Sequence, residues 1–173
     1  MLSIHAATSI HVMDVRPLVD TDIPVLAPAN AALLRELALE FIVHESTAEG
    51  AATFLAENDQ MGVRKFLQLG HVYHVALDEG RLAGFIAIRD NSHLFHLFVG
   101  KRWQGRGLAR RLWNVARAAA IARGGDGSFT VNSSNHGVTA YEAFGFVRVG
   151  PMQCAKGLYF NPMRLAWADE VHC

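Results

Sequence analysis

Between His71 and Val99 the chain carries three apolar, partly β-branched runs in succession, HVYHVAL, LAGFIAI and SHLFHLFV. Only DEGR separates the first two. Runs of this kind bounded by turn residues read as strands, and the first pair reads as a β-hairpin. The rest of the chain must be arranged around these three strands.

The flanking pattern alternates between helical and extended periods. HVMDVRPL is short and β-like and ends at Pro17. VDTDIP supplies helix-start residues, Asp20, Thr21 and Asp22, with Pro24 suited to a first turn. Leu34, Leu37 and Phe41 predict a helix through the thirties to about His44. A second helix is predicted over AATFLAENDQMGVRKFLQLG, with Phe54, Leu55, Val63, Phe66 and Leu67 as apolar positions. Gly62 weakens its middle and Gly70 stops it. After the three strands a helix begins near Gly107. Leu108, Leu112, Val115 and Ala119 form one face of it, and Arg110, Asn114 and Arg117 another. Gly124 and Gly125 end it. SFTVN reads as a strand, VTAYEAF as a short helix, and GFVRV and LYFNPMRL as closing strands. This order implies an α/β fold, a mixed sheet with helices on both faces.

The 173 residues suit one domain, here positions 11–173 behind a loose tail over positions 1 to about 10. About half the residues are hydrophobic, enough for a sizeable core. A net charge of zero argues against a general nucleic-acid binder. No apolar run reaches transmembrane length, and the first residues make a poor signal peptide. Cys154 and Cys173 form neither a disulfide framework nor a zinc-spacing motif. A reducing cytosol is the simplest compartment, and no metal, nucleic-acid or membrane partner is expected.

The chemistry concentrates in RWQGRGLARRLW, positions 102–113. A strand, a glycine-bearing turn and a helix start make an anion site. The first helical N–H groups lack partners inside the helix, and the helix dipole adds partial positive charge. Glycine lets the backbone approach a phosphate closely. Arg102, Arg106 and Arg110 add local charge. A pyrophosphate held mainly by main-chain donors is therefore expected. The P-loop pattern is absent. A dinucleotide fingerprint fails as well, because Arg110 stands where a third glycine is needed.

The pattern that fits is Q-x-x-G-x-A, made by Gln104, Gly107 and Ala109. With HLFV before it and NHGVTAYEAFGF after it, the sequence resembles the GNAT superfamily of acetyl-CoA-dependent N-acetyltransferases. Asn135, Tyr141, Gly145 and Phe146 stand at the downstream motif positions, and the likeness covers about positions 12 to 166.

The resemblance implies a central, mostly antiparallel sheet and acetyl-CoA as co-substrate. It puts the pyrophosphate on the amides of Gln104, Gly105, Arg106, Gly107, Leu108 and Ala109, with Arg102 and Arg106 nearby. The pantetheine arm then lies in a V-shaped gap beside the backbone of Leu97, Phe98 and Val99, and Asn135 matches a family position that contacts the pantetheine side of the cofactor. Tyr141 matches the usual general acid. The base is open between His93, ranked first, and His96. Simple alternation puts those two on opposite faces of their strand. Asn135 also suits a helix N-cap.

The acceptor is an amine on a small molecule or a peptide. By the resemblance, its pocket is shaped by the first two helices and the last strands, which carry Glu36, Glu40, Glu45 and Glu49. Homodimerisation is common in the family. An acyl-CoA-binding sensor of the same fold without turnover is the alternative reading.

Overall fold

The computed structural model describes residues 13–165, so the tail expected over positions 1 to about 10 lies outside the described residues. The three central runs form β2 (Val72–Asp78), β3 (Arg81–Arg89) and β4 (His93–Val99), as the sequence predicts. DEGR closes the β2–β3 hairpin, with Glu79 and Gly80 both at positive φ, 49° and 78°. That pair of dihedrals matches the right-handed twist of the strands it joins.

The sheet runs β1 (Asp14–Pro17), β2, β3, β4, β5 (Thr130–Ser133), β8 (Leu158–Leu165) and β6 (Phe146–Arg148), with β7 (Gln153–Ala155) pairing β8 off the end. Every pairing is antiparallel except β4 with β5. The strand β7 is not anticipated by the sequence reading. Its signal is Lys156-Gly157, at φ 51° and 78°, a two-residue hairpin turn of the β2–β3 kind.

Helices cover both faces, as expected. On one face α4 (Leu108–Ala122) and α5 (Val138–Ala143) bury Leu112, Trp113, Ala116, Val138 and Tyr141 against Ile86, Ile88, Leu94, Val131 and Phe146. On the other, α1 (Ile23–Phe41) and α3 (Gln60–Gln68) bury Leu26, Leu34, Ala38 and Val63 against Tyr73, Val75, Phe85 and Ala87. Each fully buried large side chain contributes about 1.5–3 kcal/mol through loss of apolar surface to water.

Three expectations need correction. The long second helix is two helices, α2 (Ala48–Glu57) and α3, broken at Asn58-Asp59. Asp59 takes the N-cap and accepts a hydrogen bond from the Gly62 amide at 2.9 Å. Gly62 is thus in a first turn, where a Cβ would strike the Glu57 carbonyl. The buried face of α4 is Leu108, Leu112, Trp113, Ala116 and Ala120, while Val115 and Ala119 are half-buried. Trp113 meets Phe129 edge-on and so draws the face round. Helix α1 ends at Phe41, and Val43–Glu45 form a separate 3-10 turn.

That turn opens the α1–α2 linker, which crosses to the far half of the sheet. The Phe41 ring stacks on His136 at 3.8 Å, and the Thr47 amide donates to the Gly157 carbonyl at 2.9 Å. A Cβ on Gly50 would lie 2.5 Å from the Gly157 carbonyl carbon. Gly50→Ala is expected to destabilise the fold by about 1–3 kcal/mol through this overpacking. Thermal unfolding measures it, and an unchanged midpoint would show that the linker does not need the close approach.

Candidate active site at the fork between two strands

The strands β4 and β5 pair at two positions, His93 with Thr130 and Leu94 with Val131, and then part. Beyond that point β4 is bonded on its β3 side. The Gly100 amide donates to the Ala83 carbonyl at 2.8 Å, and Phe98 stands opposite Phe85. Alternation along the strand turns the backbone N–H and C=O groups of Leu97 and Val99 the other way, into the opening. The structure thus contains the V-shaped gap that the resemblance implies.

The glycine loop closes the wide end of this gap. After the short 3-10 turn Lys101–Trp103 come Gly105 and Gly107, at φ 74° and 78°. Such left-handed dihedrals cost an ordinary L-residue roughly 1–2 kcal/mol. The first helical bond of α4 runs from the Arg111 amide to the Gly107 carbonyl at 3.0 Å. The amides of Leu108, Ala109 and Arg110 therefore have no partner inside the helix. A cleft lined by Val99, Gln104, Gly105, Gly107, Leu108 and Ala109 lies beside them, with Ala140 and Phe144 of the α5 segment opposite. The sequence-predicted loop residues are thereby brought together.

Several side chains serve the loop's shape. Gln104 Nε2 donates to the Val99 carbonyl at 2.9 Å, tying loop to strand end. Trp103 Nε1 donates to Asp78 Oδ2 at 2.7 Å. The Arg102 guanidinium lies 5.4 Å from the Trp103 ring centre. Arg110 donates to the Ala143 carbonyl at 2.9 Å and lies over Phe144, so it braces α5. The Arg106 side chain is exposed on the loop.

Tyr141 is buried, edge-on to Phe144 and Phe146. Burial pushes its hydroxyl well above the usual tyrosine range, so it stays protonated. Asn135 is not the N-cap of α5. Gly137 holds that place, and Ser134 Oγ accepts from the Gly137 amide at 3.2 Å. Asn135 instead donates to Glu45 Oε2 at 3.1 Å and accepts from Asn161 Nδ2 at 2.8 Å. Asn161 is buried, and sequence reasoning missed it. Its signal is a lone amide in the middle of the mostly apolar strand LYFNPMRL.

The two histidines share a face, contrary to simple alternation. The register steps from Ala87–His96 to Ile88–Leu94, which leaves Phe95 as an extra residue in β4. A bulge of this kind reverses the parity of everything beyond it. His96 is enclosed by the rings of Phe66, Tyr73, Phe85, Phe95 and Phe98. Burial, with a smaller contribution from His71, pushes its imidazole down to about 3. His93 sits at the apex of the fork, with Nδ1 2.8 Å from Thr130 Oγ1. Burial, then the charge of Arg89, pushes it down to about 4. Both imidazoles are neutral at pH 7.

A family model, that of the acetyltransferase (GNAT) domain, matches residues 42–167. The chain belongs to the GNAT acetyltransferase family, and it is an enzyme of that class. No curated protein matches the sequence significantly. Among solved structures, it is similar to a GCN5-related N-acetyltransferase from Rhodopseudomonas palustris. The two are 22% identical with a TM-score of 0.68, over 90% of this chain and 98% of that one. PaiA N-acetyltransferase of Thermoplasma acidophilum, solved with coenzyme A, is 14% identical with a TM-score of 0.67, over 90% and 99% of the two chains. Aminoglycoside 6'-N-acetyltransferase of Enterococcus faecium is 16% identical with a TM-score of 0.65, over 87% and 95%. At these identities the likeness establishes the fold. No helix among the described residues is long and apolar enough to cross a membrane.

The lowered histidines carry a pH signature. His71, His74, His93 and His96 are all depressed, chiefly by burial. The unfolded chain takes up their protons near pH 6.5, before the folded one does. Stability is therefore full above about pH 6.5 and falls as pH drops toward 4. Urea midpoints at pH 7 and pH 5 measure this, and equal midpoints would contradict it.

Proposed function

We propose that this protein transfers an acetyl group from acetyl-CoA to a primary amine, by direct attack within a ternary complex. The observation that carries the reading is the fork. An opening edged by the backbone of Leu97 and the Val99 amide, with the Val99 carbonyl tied to Gln104, leads to the free amides of Leu108, Ala109 and Arg110. The first suits the amide groups of a pantetheine arm, and the second suits a pyrophosphate. The loop's left-handed glycines keep side chains out of that approach. The residues present thus fit the group, and the thioester supplies the activated acetyl.

The chain's own residues then divide the proton work. An alkyl ammonium has a pKa of about 10.4 and must be neutral to attack. We assign its deprotonation to His93, which is neutral and at the apex, and structural packing to His96. With a pKa of about 4, His93 does not hold the proton; it relays it to solvent, with Thr130 fixing the ring. As the new C–N bond forms and the C–S bond breaks, Tyr141 gives its hydroxyl proton to the departing sulfur, and the proton shed by the new amide nitrogen restores the tyrosine. The sensor alternative is disfavoured by these two groups, for which binding alone has no use.

Thiol release with acetyl-CoA and a panel of amines tests the reading. Binding with amine-dependent release supports it, and saturable binding with no release for any amine favours the sensor. Tyr141→Phe is expected to lower kcat about a hundredfold and leave acetyl-CoA affinity within about twofold. Equal loss of both would make Tyr141 a packing residue. The kcat/KM of the wild type is expected to rise with pH toward the acceptor's own pKa, with no break near 6.5. A break there would show that the working base is an unperturbed histidine.

A further inference from the structure

Glu36, Glu40, Glu45 and Glu49, on the first two helices and the turn between them, are treated differently by the structure. Glu40 is ion-paired with Lys101. Glu36 and Glu49 are exposed on the outer surfaces of α1 and α2. Glu45 lies in the α1–α2 linker, reaches across to the loop after β5, and is held there by Asn135.

The hold is directional. Arg148 can only donate, and its Nη1 donates to Asn161 Oδ1 at 3.2 Å. Asn161 must then present its amide nitrogen onward, to the Ser133 carbonyl at 3.3 Å and to Asn135 Oδ1 at 2.8 Å. Asn135 is left with its own nitrogen facing Glu45 Oε2. Each amide orientation fixes the next, from a guanidinium through two asparagines to a carboxylate. Glu45 Oε1 keeps acceptor capacity, with Nε2 of the exposed His44 3.9 Å away.

Two unlike groups therefore flank the fork. The linker residues Ile42 and Val43 pack into the core under α1 and α3, and the bulge turns His93 toward that face. The asparagines that hold Glu45 extend from the α4–α5 face, in register with Val131 and Met163. His93 stands beside Thr130 at the start of β5, and Glu45 is anchored to Asn135 just past its end. Five residues of extended chain separate those anchors by at most about 16 Å. A neutral imidazole beside Arg89 disfavours a cation. A carboxylate favours one and would keep an amine protonated, which blocks its attack. The reacting nitrogen thus belongs at His93 and not at Glu45.

Resting on the acetyltransferase reading above, we propose that Glu45 is a specificity-determining residue that binds a second, non-reacting ammonium of the acceptor. The acceptor is then a flexible polyamine-like molecule, with a charged nitrogen several bonds from the one acetylated.

Steady-state kinetics with spermidine and cadaverine against pentylamine test this in the wild type, Glu45→Gln and Glu45→Asp. The glutamine keeps an oxygen for Asn135 and removes only the charge. The wild type is expected to favour the polyamines at least tenfold in kcat/KM. Glu45→Gln is expected to raise their KM about tenfold, with kcat, the pentylamine KM and the acetyl-CoA KM within about twofold. Glu45→Asp should restore part of the preference. A preference that survives Glu45→Gln, or a wild type that acetylates all three amines equally, overturns the proposal while leaving the acetyltransferase reading intact. A wild type that acetylates none of the three overturns the proposal, while the acetyltransferase reading falls only if the wider amine panel also gives no thiol release.

Discussion

The structure turns on one parallel strand pair that is allowed to fail. The strands β4 and β5 meet at His93 and Leu94 and then separate. A sheet opened in its middle leaves backbone groups unpaired, which folded chains avoid unless something else satisfies them. Here the split is held by its surroundings. Gln104 caps the Val99 carbonyl, β3 bonds the other side of β4, and β8 bonds the other side of β5. The opening persists as a slot whose walls are main chain, aligned with the amides at the start of α4.

The bulge at Phe95 is the second constraint. It turns His93 to the face where the α1–α2 linker arrives, while α4 and its glycine loop stay with the opposite core. The slot therefore has one side lined by main-chain amides at a helix start and another built from side chains. Donor and acceptor can approach from different faces of the same sheet and meet at the fork.

Much of this was legible in the chain. The hairpin at DEGR, the helix start after Gly107 and the strand–loop–helix order follow from hydrophobic period and turn chemistry. The backbone site was legible for the same reason, since glycine spacing before a helix speaks directly about main-chain geometry. What escaped depended on tertiary contacts. A single extra residue in β4 left no mark in HLFHLFV, yet it moved His93 across the sheet. The role of Asn135 was hidden because its partners, Glu45 and Asn161, lie 90 and 26 positions away in sequence. Trp113 reset the buried face of α4 because its bulk met Phe129, a contact that periodicity cannot see. Asp59 capped a new helix where an unbroken one was expected, since local capping outweighed a continuous apolar pattern.

Amide hydrogen exchange with and without saturating acetyl-CoA tests the central claim most directly. The claim is that the forked strands and the glycine loop hold the co-substrate through main-chain groups. It predicts slowed exchange at Leu97 and Val99 and across Gly105 to Arg110, with little change on the outer surfaces of α1 and α2. Saturable binding that leaves those amides unprotected would contradict it.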